Sequence, residues 1–155
     1  MTGVQTCLFR SIVTPYVIVE DAQALLDYVT KVFDAEQREL IRGPNGKIAH
    51  AEVVLGDSVL MLSDKPPHLE AMPASLYLYV DDTDARYKRA LETGGTSVME
   101  PADQFYGDRN AGVKDPTGNL WWIATHIEDV SPDELARRAK ARLEQRAEKE
   151  HGSRS

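Results

Sequence analysis

The sequence predicts an α+β domain made of two copies of one strand–helix–strand–strand–strand (βαβββ) unit, followed by a charged C-terminal helix. Three observations predict it. Val19-Glu20-Asp21 recurs as Val80-Asp81-Asp82, and Ala24 as Ala85, in both cases 61 residues further on. Gly56-Asp57-Ser58-Val59-Leu60-Met61 recurs as Gly118-Asn119-Leu120-Trp121-Trp122-Ile123, 62 residues further on. Between these markers, strand-like alternation and helical spacing follow one another in the same order twice, the pattern left by an internal duplication.

The totals narrow the function classes. A chain of 155 residues holds one domain or two fused half-domains and can bury a sizeable core. A net charge of −7 withholds the basic face that nucleic acid requires. No apolar run approaches the roughly 18 residues of a membrane span, and no signal-peptide pattern is read. The single cysteine, Cys7, excludes an internal disulfide framework. A cytoplasmic protein with neither nucleic-acid nor membrane partners is expected.

The domain is expected over residues 12–130, with units at about 12–65 and 74–128. Residues 1–11 continue neither periodicity. They are expected to be a disordered, non-native leader that looks like a translated sequencing adapter, the alternative being an ordinary loose N-terminus. The first unit reads as a strand over 14–19, a helix from Glu20/Asp21 to Phe33, and strands over 37–42, 47–55 and 58–63. Leu25, Tyr28, Val29 and Val32 give the helix its stripe. Gly43-Pro44-Asn45-Gly46 and Gly56-Asp57 supply the turns, and the prolines of 65–73 mark a linker.

The second unit reads as a strand over 75–80, a helix over 83–93 stopped by Gly94-Gly95, and strands over 96–100, 111–114 and 120–126. A polar lead-in, Phe105-Tyr106-Gly107-Asp108-Arg109-Asn110, precedes the last hairpin, which turns at Asp115-Pro116-Thr117-Gly118-Asn119. Ser131-Pro132-Asp133-Glu134 opens a final helix within 131–155. Its stripe of Leu135, Ala139 and Leu143 is thin, as on a solvated helix or one resting on a dimer partner.

Alternation sorts the strand faces. Pro15, Val17 and Val19, Ala49, Ala51, Val53 and Leu55, and Leu76, Leu78 and Val80 suit the side covered by helices, as does Trp121. The opposite side collects Thr14, Tyr16 and Ile18; Ile48, His50 and Glu52; Ser75, Tyr77 and Tyr79; and Trp122, Ala124 and His126. Tyrosines, a tryptophan, a histidine and a glutamate on one face make a ligand-binding concavity, apolar-walled with a few polar groups. The plainer alternatives are that His50 and Glu52 are a satisfied buried pair and that the tyrosines fill a half-barrel. His68 and His151 read as surface residues.

The duplicated unit, the Asp-Pro-x-Gly-Asn turn and the Tyr-Gly-Asp-Arg lead-in together resemble the vicinal oxygen chelate superfamily, which includes glyoxalase I, bleomycin-resistance proteins and extradiol dioxygenases. The PhnB-like branch is the closer match. Thr14-Pro15-Tyr16, His50-Ala51-Glu52, residues 58–64, residues 104–109 and Ala124-Thr125-His126 carry it, over roughly 12–133. The resemblance implies a curved mixed sheet around a cavity, usually in a homodimer. It also implies, in metal-dependent members, four metal-binding positions that fall here at Thr14, Leu60, Ser75 and Trp122. None offers the expected imidazole or carboxylate, so neither a metal nor another cofactor is expected.

Two functions fit these residues. One is a metal-free binding protein in which Tyr16, Tyr77, Tyr79, Tyr106, Trp122 and His126 line the ligand site, with Glu52 and Arg109 holding charged parts. The other is an enzyme of lyase, isomerase or dioxygenase type acting on a small oxygenated substrate. His50 or Glu52 would be its general base, and Tyr106 or Arg109 would polarise an oxygen. Asp108 and Arg109, adjacent in sequence, are alternatively a pair that only fixes a loop.

Overall fold

The computed structural model describes residues 11–152. Except for Ser11, the expected leader lies outside the described residues, as does Cys7. The elements run β1 (Tyr16–Val19), α1 (Ala22–Phe33), β2 (Glu36–Arg42), β3 (Ile48–Leu55), β4 (Ser58–Asp64), β5 (Ser75–Tyr79), α2 (Thr83–Glu92), β6 (Thr96–Asp103), β7 (Asp108–Lys114), β8 (Leu120–His126) and α3 (Pro132–Gly152). Two four-stranded mixed sheets result, ordered β1-β4-β3-β2 and β5-β8-β7-β6. In each, the first strand runs parallel to its neighbour and the other pairs are antiparallel. The predicted α+β duplication and C-terminal helix are therefore both present.

The 61-residue repeat has a physical basis at the two helix starts. The Asp21 carboxylate accepts from the Ala24 N–H at 2.9 Å, and Asp82 accepts from Ala85 at 3.0 Å. Each aspartate thus satisfies an N–H that the first helical turn leaves without a partner. The spacing carries into the sheets, where Tyr16 pairs with Met61 and Tyr77 with Trp122. Met61, not Leu60, is therefore the counterpart of Trp122.

The 62-residue match misplaced Leu60 because the two turns differ in length. Leu55 pairs with Ser58 across a two-residue turn, whereas Lys114 pairs with Leu120 across five. Matching Gly56 to Gly118 therefore slips the register by one, and a one-residue slip moves a side chain to the other face. Leu60 lies in the core, and Met61 shares a face with Tyr16.

A second face assignment also fails. Ile41 pairs with His50 but Arg42 pairs with Ile48, so a bulge at Ala49 interrupts β3. Ile48 turns into the core at 1% exposure, and Ala49 is left exposed.

Both sheets turn their helix-covered sides to one shared core. Val17, Leu60, Leu62 and Val53 from the first sheet join Val113, Trp121 and Ile123 from the second around α1. Phe33 packs against Trp121 with ring centroids 4.8 Å apart, and the Tyr28 hydroxyl donates to the Ala90 carbonyl of α2 at 3.2 Å. The opposite faces of the sheets point outward. No described helix is long and apolar enough to cross a membrane.

The Asp-Pro-x-Gly-Asn turn holds the second sheet to this core. The buried Asp115 carboxylate accepts from the Thr117 N–H and hydroxyl, from Asn119 N–H and Nδ2, and from the Trp121 indole at 2.8 Å. The Asn119 side-chain oxygen accepts from Ala74 N–H at 2.9 Å, fixing the start of β5.

Candidate functional site

The polar lead-in divides in two: Phe105, Tyr106 and Gly107 lie in a turn, and Asp108, Arg109 and Asn110 are already strand, ahead of the expected start at Ala111. β6 runs on to Asp103, Gln104 and Gly107 close a turn, and β7 begins at Asp108. Gly107 has φ +100°, and a Cβ there would stand 2.2 Å from the Glu128 carbonyl oxygen, so the turn requires glycine. Once β7 starts at Asp108, its residues alternate. Asp108, Asn110 and Gly112 take the open face, paired with His126, Ala124 and Trp122, and Arg109 takes the helix side.

The open face of the second sheet gathers around the buried Asp108. Its Oδ2 accepts from the Tyr77 and Tyr79 hydroxyls, both at 2.9 Å, and its Oδ1 lies 3.1 Å from His126 Nδ1. His126 Nε2 lies 2.7 Å from the exposed Asp129. The Tyr106 hydroxyl is 3.4 Å from that of Tyr77 and accepts from Asn110 Nδ2 at 3.1 Å. Asn110 is 4% exposed, and its Oδ1 has no hydrogen-bond partner among the described residues.

Each shift in this group has a cause. Burial pushes the Asp108 carboxyl up, but hydrogen bonds from His126, Tyr77 and Tyr79 outweigh it, so Asp108 titrates below the usual carboxylate range. Hydrogen bonds to Asp129 and then Asp108 raise His126. Burial, then hydrogen bonds to Tyr106 and Asp108, raise Tyr77, and the bond to Asp108 raises Tyr79. The tyrosines therefore stay protonated and keep donating to a charged carboxylate.

With the hydroxyls turned inward, the rings are what the face presents. Tyr77 and Tyr79 are 44% and 63% exposed, with centroids 5.4 Å apart. Trp122 lies across Gly112, where a Cβ would come within 2.8 Å of the indole. Its Nε1 donates to the Ser75 hydroxyl at 3.2 Å. Beside this face, a crevice of about 460 Å³ separates β5 from the β3–β4 turn, lined by Phe33, Leu55, Ser58, Tyr77, Tyr79 and Arg86 among others.

The remaining predicted residues lie elsewhere. Tyr16, His50 and Glu52 share the open face of the first sheet, where the Tyr16 ring stacks on His50 at 5.7 Å. His50 Nε2 is 3.5 Å from Glu52 Oε1, and Arg38 Nε is 3.8 Å from Glu52 Oε2. Arg109 joins neither group. It donates to Asp84 at the start of α2 and to Asp103, both at 2.8 Å, so its expected hold on a ligand beside Tyr106 is withdrawn. The alternative of an Asp108–Arg109 pair fixing a loop does not hold either: both residues are in β7, and Arg109 ties that strand to Asp84 of α2 and Asp103 of β6. Asp108 and Asn110, at the centre of this face, were not among the expected residues, and alternation read back from Gly112 was the signal that would have placed them there.

The positions at which the resemblance places metal ligands offer no imidazole or carboxylate, so they do not fit the divalent ion of the metal-dependent members. On the open face they are Thr14, Met61, Ser75 and Trp122, with Met61 in place of Leu60. The Trp122 indole directs an N–H donor, not a lone pair, at Ser75. No chemistry is routed through a metal at these corners.

Two βαβββ units, each with a parallel first strand and an outward aromatic or ionisable face, define the vicinal oxygen chelate class. The chain belongs to the Glyoxalase/Bleomycin resistance protein/Dioxygenase superfamily, whose sequence profile matches residues 11–123. It is 34% identical over 133 residues to the uncharacterized protein Rv0887c of Mycobacterium tuberculosis, covering 79% of this chain and 78% of that one. Among solved structures, TioX from Micromonospora sp. ML1 is similar at TM-score 0.63 and 22% identity, over 76% of this chain and 99% of TioX. A PhnB protein from Bacillus cereus is similar at TM-score 0.60 and 19% identity, over 74% of this chain and 99% of that chain. At these identities the two structures attest the fold.

Proposed function

We propose that the protein binds a small, planar, neutral or cationic molecule on the aromatic face of its second sheet, without a metal at the superfamily's usual corners. The observation that supports this reading is the exposed rings of Tyr77 and Tyr79, with the half-buried ring of Trp122, set around the ionised Asp108. Ring faces carry negative potential and attract flat or positively charged groups. Asp108 adds a fixed negative charge beneath them. The test is a panel of planar aromatic compounds, screened by quenching of tryptophan fluorescence. Trp121 is sealed in the core, so Trp122 is the reporter. Quenching that persists unchanged in Trp122→Phe would remove the site from this face.

Homodimerisation belongs to the same proposal. The outward faces of both sheets and the strand edge at β5 offer surface to a second copy, whereas the edge of β1 is partly closed by Met72, whose N–H donates to the Ile18 carbonyl. Pairing the first sheet of one protomer with the second sheet of its partner would turn two open faces into one hollow. Sedimentation equilibrium tests this, and a monomer at micromolar concentration speaks against it.

A second reading, supported by the buried Glu52 beside His50, is an enzyme of lyase or isomerase type using these two as acid and base. Recovery of unaltered ligand after incubation, followed by mass spectrometry, favours binding alone. Turnover lost in His50→Ala, with binding kept, favours the enzyme.

A further inference from the structure

We infer that Glu39, His50 and Glu52 form a divalent-metal site on the open face of the first sheet, away from the superfamily's usual corners. The inference is independent of the ligand proposed for the second sheet. Register is its first support. Glu39 on β2 pairs directly with Glu52 on β3. Carboxylates opposed across an antiparallel pair repel, and Glu52 is 1% exposed, so water screens the repulsion weakly. A cation between them converts that repulsion into attraction.

Ligand spacing is the second support. Two donors on one tetrahedral ion, each about 2.1 Å from it, stand about 3.4 Å apart. His50 Nε2 and Glu52 Oε1 are separated by 3.5 Å. One donor atom from each of the three residues falls within 4.8 Å of the others. Glu39 is exposed, so its side chain is free to swing onto an ion that the other two hold.

The surroundings suit this role. The stacked Tyr16 ring fixes the plane of the His50 imidazole. Arg38 approaches the other oxygen of Glu52, Oε2, at 3.8 Å, which leaves Oε1 turned towards His50. At 3.8 Å Arg38 is too far for a hydrogen bond to Oε2 and acts on the carboxylate as a nearby charge. One imidazole with two carboxylates suits zinc, manganese or ferrous iron, with open positions left for water or substrate oxygen. In this assignment His50 and Glu52 are ligands in place of acid and base.

The test is equilibrium dialysis of the full, untagged chain against zinc chloride and, separately, manganese chloride, with bound metal counted by elemental analysis. One ion per chain is expected at micromolar free zinc or manganese. His50→Gln and Glu39→Gln should each weaken binding by at least about tenfold. Glu39 is exposed, so its variant keeps the test valid if a change at Glu52 prevents folding. A double variant, His68→Ala with His151→Ala, should bind as the parent does. Three results overturn the site: no binding by the parent chain, binding unchanged in Glu39→Gln and His50→Gln, or binding lost in the double variant.

Discussion

The Asp108 carboxylate and the His126 imidazole stand 3.1 Å apart across β7 and β8, at a pair of directly opposed residues. Asp108 is buried and His126 exposed, so the contact joins the interior of the sheet to solvent.

The pH behaviour of this pair follows by linkage. His126 is raised on folding, so its charged form stabilises the fold below the unfolded value of about 6.5. That stabilisation is lost as pH rises through the higher folded value. Asp108 is lowered, so its contribution is present above about 3.9 and is lost as pH falls through its lower folded value. An NMR titration should find His126 above 6.5, dropping first in Asp129→Asn and further with Asp108→Asn. Added salt should erode the share of exposed Asp129 more than that of buried Asp108. A His126 value at or below 6.5 at low salt would refute the contact.

Asp115→Ala should be among the most damaging single changes. It strips the acceptor from the Trp121 indole and from the N–H groups of Thr117 and Asn119. Unsatisfied buried donors cost about 1–3 kcal/mol each, so a loss of about 3 kcal/mol or more is expected by urea denaturation. A loss under about 1 kcal/mol would show that water replaces the carboxylate.

Gly112→Ala tests the seat of Trp122. The added methyl would meet the indole at 2.8 Å and lift it from the sheet. Overpacking of this kind costs about 1–3 kcal/mol. The tryptophan emission should change, and any ligand found for this face should bind more weakly. Unchanged emission would mean that the ring is not seated there.

Arg109→Ala separates the two faces of β7. Because Arg109 pairs with Asp84 and Asp103, its loss should leave ligand binding as it was. Tyr77→Ala and Trp122→Ala should each weaken binding. A large loss of binding in Arg109→Ala alone would return that residue to the site.

Most of the fold was legible in the sequence because its signals are local. Asp21 and Asp82 sit before their helices as capping residues, and Pro116 and Gly118 announce their turn. Three features were hidden because they depend on pairing partners. The bulge at Ala49 shows only in the slip between Ile41 and Arg42 against β3. The Leu60 error came from equating turns of unequal length. The start of β7 at Asp108 looked like loop because Gly107 and a run of polar residues mimic one. The aromatic side chains of this face were therefore placed together from the sequence, while the carboxylate that accepts their hydrogen bonds was not. Glu39 was missed for a related reason: only strand pairing reveals that it faces Glu52.

The broad apolar girth of α1 has a consequence for the history of the duplication. Leu25, Leu26, Tyr28, Val29, Val32 and Phe33 are all buried, and the other half contributes to that burial, Trp121 against Phe33 and Ala90 against Tyr28. An ancestral single unit would have needed a mate to complete it. Fusion made that mate permanent, so either half expressed by itself should be insoluble until its counterpart is supplied.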